Sequence, residues 1–104
     1  MQLLTKELLD KLPKLNAKVT DDTVAGVKYF NPIGRGYWFG FNYDPKERLF
    51  FGYVSIFGDW NDELGYFSLD ELESLQLPLG MKIERDMHWT PKTLKEIKDE
   101  YTQS

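Results

Sequence analysis

The hydrophobic positions of this chain follow a helical period in three short segments. In the first, leucines recur three and four residues apart between Thr5, a favourable N-cap residue, and Pro13, which ends the pattern. A second helix is predicted after Ser68, because Ser68 and Glu71 form the S-x-x-E pattern of a capping box. A third is predicted with Thr90 as the N-cap and a proline at the first helical position. These signals predict three short helices, near the start, after the middle and near the end of the chain.

Between the first two helices the apolar period falls to two residues, and aromatic and β-branched residues dominate, which is typical of strands. Strands are predicted over residues 23–30, 37–43 and 49–57, followed by a shorter one over residues 64–67 and an edge strand over residues 81–84. Alternation along the second strand predicts two different faces, with Tyr37, Phe39, Phe41 and Tyr43 on one and Trp38, Gly40 and Asn42 on the other. We therefore expect a single α+β domain over residues 1–104. Its predicted architecture is an antiparallel β-meander of about four strands with helices packed on one face, the first and third helices against each other.

Charge and cysteine content narrow the function classes. The 104 residues include 13 Lys and Arg, 17 Asp and Glu and no cysteine, which gives a formal net charge of -4. The absence of cysteine excludes disulfides, thiolate metal sites and cysteine nucleophiles. The acidic balance argues against general electrostatic attraction to nucleic acid or to anionic membranes. Because cysteine is absent and no apolar run reaches the length of a membrane span, we expect a cytoplasmic protein that binds no membrane. No phosphate-binding loop and no metal-ligand spacing is present in the sequence, so no cofactor is expected.

Two long motifs carry a resemblance to a known family. They are E-L-G-Y-F-S-L-D-E-L-E at residues 63–73 and I-E-R-D at residues 83–86, and shorter matches at residues 3–8, 27–30 and 49–52 extend the similarity over nearly the whole chain. In these segments the chain resembles the small bacterial family DUF2958, a domain of unknown function. The resemblance implies an accessory protein of plasmids, conjugative elements or phages, of a kind associated with countering host defence. It brings no established set of catalytic residues.

The acidity of the chain is concentrated in one segment. Residues 59–73 contain six carboxylates and no Lys or Arg. Such a surface can dock on a basic groove of a nucleic-acid-handling protein, and the alternative is a solvated helix face whose acids favour the helix N-terminus. Leaving out Glu71, which serves the cap, we predict a partner-binding acidic patch formed by Asp59, Asp62, Glu63, Asp70 and Glu73.

Aromatic side chains offer a second candidate surface. The sheet carries more large rings than its two faces can easily hide, so some are expected at the surface, where they would bind protein or stacked bases. The second-choice partner-binding residues are Trp38, Tyr43 and Trp60. The alternative use of these rings is core packing. Because Lys and Arg do not alternate with the rings, direct nucleic-acid binding is not expected.

Single-residue candidates for chemistry are few. His88, the only histidine, is interpreted as a surface residue, because no serine or acid stands at a diagnostic spacing from it. The segment from residue 59 resembles a calcium loop but has Leu64 where the sharp turn needs glycine, so no metal site is predicted. Arg85 beside Glu84 and Asp86 indicates structural ion pairs or, alternatively, a small anion-binding arrangement.

These observations and the family resemblance predict a small accessory protein of a mobile genetic element that acts by binding another protein. The expected role is counter-defence, with a host CRISPR or restriction component as the partner that it inhibits. The alternative is a nucleic-acid-processing enzyme or a single-stranded nucleic-acid-binding module, in which an acidic cluster would hold magnesium. The sequence leaves the identity of the partner and the oligomeric state open, and it predicts no catalytic residue.

Overall fold

The computed structural model describes residues 1–56 and 62–101. Within these residues the central element is a five-stranded antiparallel sheet in the order β4-β3-β2-β1-β5. The elements are α1 (Lys6–Lys11), β1 (Val27–Phe30), β2 (Tyr37–Asp44), β3 (Leu49–Ser55), β4 (Glu63–Ser68), α2 (Leu69–Ser74), a 3-10 turn (Pro78–Gly80), β5 (Glu84–Arg85) and α3 (Leu94–Tyr101). The α+β class and the antiparallel meander are confirmed, with five strands where about four were expected.

Apolar side chains on one face of the sheet form a first core cluster. Phe50 of β3 lies inside it, with its ring centroid 4.6 Å from that of Tyr43 and 4.9 Å from that of Phe67. The leucines of α1 pack against this cluster, and Leu69 and Leu72 of α2 belong to it. Two helices therefore cover this face.

The opposite face of the sheet holds a second core cluster, which α3 covers. Phe39 of β2 and Tyr53 of β3 belong to it together with Leu94 and Ile97 of α3. The ring of Tyr101, at the end of α3, lies 5.0 Å from that of Phe39. The third helix therefore lies on the face opposite to α1 and α2. This corrects two expectations, that all helices share one face and that the first helix packs against the third. Both faces of the central strands are apolar, so each face needs its own cover.

The third helix begins later than predicted. Thr93, not Thr90, caps it, because the Glu96 N–H donates to Thr93 Oγ1 at 3.2 Å and the Thr93 N–H donates to Glu96 Oε1 at 2.9 Å. These two bonds form a capping box. Ahead of it the chain is extended, since Thr93 pairs with Val24 in an isolated antiparallel bridge. The Pro91 signal placed Thr93 in the first helical turn, whereas in the structure Thr93 pairs with the backbone of Val24.

A β-bulge in β2 changes the face that Tyr43 occupies. The register between β2 and β3 shifts after Gly40, which leaves Phe41 as the extra residue. Alternation restarts beyond the bulge, so Tyr43 points into the first cluster while Phe41 points into the second. The Asn42 side-chain amide is buried next to the bulge and donates to the Ala17 carbonyl at 2.7 Å. The predicted face shared by four aromatic residues is therefore wrong for Tyr43.

The remaining boundaries follow the sequence signals with smaller differences. The caps of the first two helices are confirmed, because the Leu8 N–H donates to Thr5 Oγ1 and the Glu71 N–H donates to Ser68 Oγ, both at 3.2 Å. The first strand is shorter than predicted, and the strand predicted at residues 81–84 is displaced to β5. Phe57, predicted in the third strand, lies outside the described residues. In the described parts of the chain no helix has the length and apolar character needed to cross a bilayer.

Candidate functional site

The C-terminal half of the predicted acidic patch is neutralised in part by Arg48. This residue ends the turn between β2 and β3, and its Nε and Nη2 lie 2.6 Å from carboxylate oxygens of Asp70 and Glu73, respectively. The hydrogen bond to Asp70 raises the pKa of Arg48 above its ordinary value. The Arg48 carbonyl also accepts the Leu69 N–H at 2.9 Å. Asp70 and Glu73 therefore help to fix α2 against the hairpin.

The N-terminal half of the patch lies at the other end of β4. Asp62 accepts a hydrogen bond from the Ser55 hydroxyl at 2.6 Å, and Glu63 is exposed where β4 begins. The six residues of β4 separate these acids from α2 by roughly 17 Å. Asp59 lies outside the described residues. The predicted patch is thus two acidic groups at opposite ends of one strand, and its role in partner binding stays a prediction.

The second-choice aromatic residues offer little open surface where the structure describes them. Tyr43 is only 4% exposed and packs on Phe50, because the bulge turns it inward. Trp38 is half-buried and packs against the first core cluster. Trp60 lies outside the described residues. Core packing accounts for Trp38 and Tyr43.

The exposed aromatic surface lies on β4, at residues that the sequence did not single out. Tyr66 is 63% exposed and Leu64 is 38% exposed. Leu64 directly follows Glu63, the first residue of the strand, and Tyr66 stands two residues after Leu64. We call these three residues the β4 edge surface. The Tyr66 ring is supported by Phe51 of β3, with the ring centroids 5.1 Å apart. The signal that could have found the surface is the predicted antiparallel meander, because a meander places its fourth strand at an edge of the sheet.

The β4 edge surface also borders unpaired backbone. Among residues 1–56 and 62–101, β4 is the outermost strand on its side of the sheet, so one row of its N–H and C=O groups faces away from β3. Residues 62–74 contain five acidic and no basic side chains. This edge therefore combines hydrogen-bonding groups, an exposed ring and negative charge.

His88 is exposed, and its backbone N–H donates to Asp86 Oδ1 at 3.0 Å. In the part of the chain that the structure describes, no cluster of three or more His, Asp or Glu residues could hold a metal ion.

Arg85 does not form the ion pairs that its acidic neighbours suggested. Asp86 instead lies 3.4 Å from the Lys28 ammonium, which also donates to the Tyr101 hydroxyl at 2.8 Å. Lys28 is buried, and its ammonium lies 5.1 Å from the ring centroid of Tyr37. In the described ranges no carboxylate lies within 4.0 Å of the Arg85 guanidinium. Asp86 thus pairs with Lys28 and not with Arg85.

Comparison with known protein families gives a match over nearly the whole chain. The family model of DUF2958, described as a protein of unknown function, matches residues 2–98. No curated protein and no solved structure matches the chain. The comparison covers both the β4 edge surface and Arg85, and it brings no assigned activity to either.

Proposed function

The chain belongs to the DUF2958 family, and we propose that it is a mobile-element accessory protein that acts by binding another protein through the β4 edge surface. The observation that carries this proposal is the exposed ring of Tyr66 on the outermost strand. Exposed aromatic residues are enriched among the side chains that dominate binding energy at protein interfaces. An open strand edge can add a strand from a partner through main-chain hydrogen bonds.

The charge of this edge indicates the chemistry of the partner. Glu63 stands at the start of β4 and Glu71 is exposed at the start of the helix that follows it. A partner segment that pairs with β4 would therefore meet carboxylates near both ends of the strand. We propose that the partner presents an extended segment with Lys or Arg side chains, since opposite charges speed association and fix register.

The same charges favour a protein partner over a nucleic acid. Bases that stack on Tyr66 would place their phosphates along residues 62–74, a segment with five acidic and no basic side chains, and like charges repel. Basic segments are typical of proteins that handle nucleic acids. On this proposal the target is a host defence protein of that class, such as a CRISPR or restriction component, which the chain inhibits by covering a basic segment.

Differential capture from host cells tests this proposal. The tagged parent protein is compared with the double variant Leu64→Ser/Tyr66→Ser and with the control Leu79→Asn, and the captured proteins are quantified by mass spectrometry. Leu79 is 92% exposed in the 3-10 turn, and its positive φ of 63° suits asparagine, so the control removes an exposed apolar side chain elsewhere. We expect a basic protein that the parent and the control retain and the double variant loses. Equal capture by all three proteins would contradict binding through the β4 edge surface.

A further inference from the structure

A groove of about 640 Å³ lies between α3 and the start of β4. Tyr53 of β3 is buried beneath it, and Leu64 of β4 lines its side. Leu64 pairs with Tyr53 in the register of β3 and β4, and directly paired residues share a face of the sheet. Tyr66 stands two residues further along β4 and therefore lies on this face as well. The groove and the exposed ring of the β4 edge surface thus open on the same side of the sheet, the side on which α3 packs.

The two lysines that line the groove are both paired with carboxylates. The Lys98 ammonium lies 2.8 Å from Asp21, in the turn ahead of β1, and the Lys95 ammonium lies 3.3 Å from Asp99, one helical turn further along α3. The hydrogen bond from Lys98 lowers the pKa of Asp21, which is the effect expected of a formed ion pair. The α3 side of the groove therefore presents charges that are balanced within it.

The β4 side of the groove brings further negative charge, from Asp62 and Glu63. Asp62 accepts a hydrogen bond from the hydroxyl of Ser55, and Ser55 pairs with Tyr37, which packs against the second core cluster. This places the Asp62 carboxylate on the face of α3. Glu63 pairs with Val54, which packs against the first cluster, so the side chain of Glu63 belongs to the other face. A neutral hydroxyl does not balance a carboxylate, and the groove therefore has a net negative charge, carried on this face by Asp62.

We propose that this groove takes the side chain of one lysine or arginine of the partner segment that pairs with β4, an inference that rests on the proposed function. On a strand added to the edge of β4, the residue opposite Leu64 faces α3, as Leu64 itself does. A long cationic side chain at that position lays its aliphatic stem across Leu64 and brings its charged end to Asp62. A short side chain ends beside Leu64. The groove therefore selects a long cation at one position, and this selection fixes the register of the added strand.

Three synthetic peptides test the charge and the length of this side chain separately. Each is an acetylated and amidated Thr-Val-Xaa-Val-Thr segment, in which Xaa is lysine, the shorter cation α,γ-diaminobutyrate, or the neutral residue norleucine. Affinity for the parent protein is measured by NMR from the backbone amide signals of Leu64 and Tyr66, at a slightly acidic pH where both amines are protonated. We expect the lysine peptide to bind about fivefold more tightly than either of the others. A lysine peptide that only equals one of them would overturn the role of the groove and leave binding at β4 intact, whereas no binding by any peptide would overturn both proposals.

Asp62→Asn provides the second arm of the test. Asparagine keeps an oxygen that can accept the Ser55 hydroxyl but removes the charge, so the lysine peptide should bind this variant only as tightly as the norleucine peptide does. The matched control is Asp10→Asn, which removes the same charge from an exposed residue of α1, on the opposite face of the sheet, and should keep the preference for lysine. If Asp62→Asn does not fold, the comparison of the three peptides on the parent decides alone. An undiminished preference for lysine in folded Asp62→Asn would overturn the assignment to the groove.

Discussion

Thr93→Ala should destabilise the protein, because Thr93 caps α3. The substitution removes the hydroxyl that accepts the Glu96 N–H at 3.2 Å and that also donates to Glu96 Oε1 at 3.1 Å. The backbone bond from the Thr93 N–H to the same carboxylate remains. Loss of an N-cap side chain costs about 1 kcal/mol. For a chain of 104 residues the unfolding entropy is about 0.2 kcal/mol per degree, so the melting temperature should fall by about 5 °C.

Thermal unfolding followed by circular dichroism measures this effect against a matched control. Thr90→Ala makes the same chemical change three residues earlier, at an exposed residue to which the structure gives no capping bond. Its melting temperature should stay within about 1 °C of the parent value, as for most exposed substitutions. A larger loss in Thr90→Ala than in Thr93→Ala would show that the helix starts at the proline and that the capping box at Thr93 is wrong.

Three further predictions concern stability. Ser68→Ala should cost about 1 kcal/mol in urea unfolding, because Ser68 Oγ accepts the Glu71 N–H, and an unchanged midpoint would refute the cap. Gly52→Ala should cost at least about 3 kcal/mol in the same assay, because a Cβ there collides with the Phe39 carbonyl, and mild destabilisation would contradict the close approach of β2 and β3. Hydrogen bonding from the backbone of Thr93 lowers the pKa of Glu96, so its carboxylate stabilises the fold fully above about pH 5 and loses this effect as the pH falls through the lowered pKa. The stability difference between the parent and Glu96→Ala should therefore shrink in acid, and a constant difference would argue against the bond.

The sequence predicts the parts of this fold that local chemistry decides. Thr5 and Ser68 are followed by apolar residues at helical spacing, and both cap helices as predicted. The aromatic and β-branched content of residues 37–43 and 49–57 located the central strands, whose two faces are both largely buried. The start of α3 was missed for a tertiary reason. The N–H groups at the start of this helix donate hydrogen bonds to the turn at residues 20–23, and the Leu94 N–H donates to the Thr23 carbonyl at 2.9 Å. No local sequence pattern encodes that contact.

The candidate sites depend on long-range contacts to an even greater extent. The acidic segment looked continuous in the sequence, but β4 holds its two ends apart and Arg48 pairs with one of them. One bulged residue, Phe41, directs the side chain of Tyr43 toward the core, and strict alternation does not predict such a bulge. Tyr66 became a candidate only once its ring was found exposed on the edge strand β4.

The most direct test of binding through the β4 edge surface is the dissociation rate of the captured partner, measured by surface plasmon resonance. Loss of a central aromatic contact costs about 2 kcal/mol, which corresponds to an affinity loss of about thirtyfold. The account predicts a loss of this size for Tyr66→Ser, carried mainly by faster dissociation, and a parent-like rate for Leu79→Asn. It also predicts slower association of the parent at higher salt, because the edge is acidic. Equal dissociation of Tyr66→Ser and the parent would contradict the account.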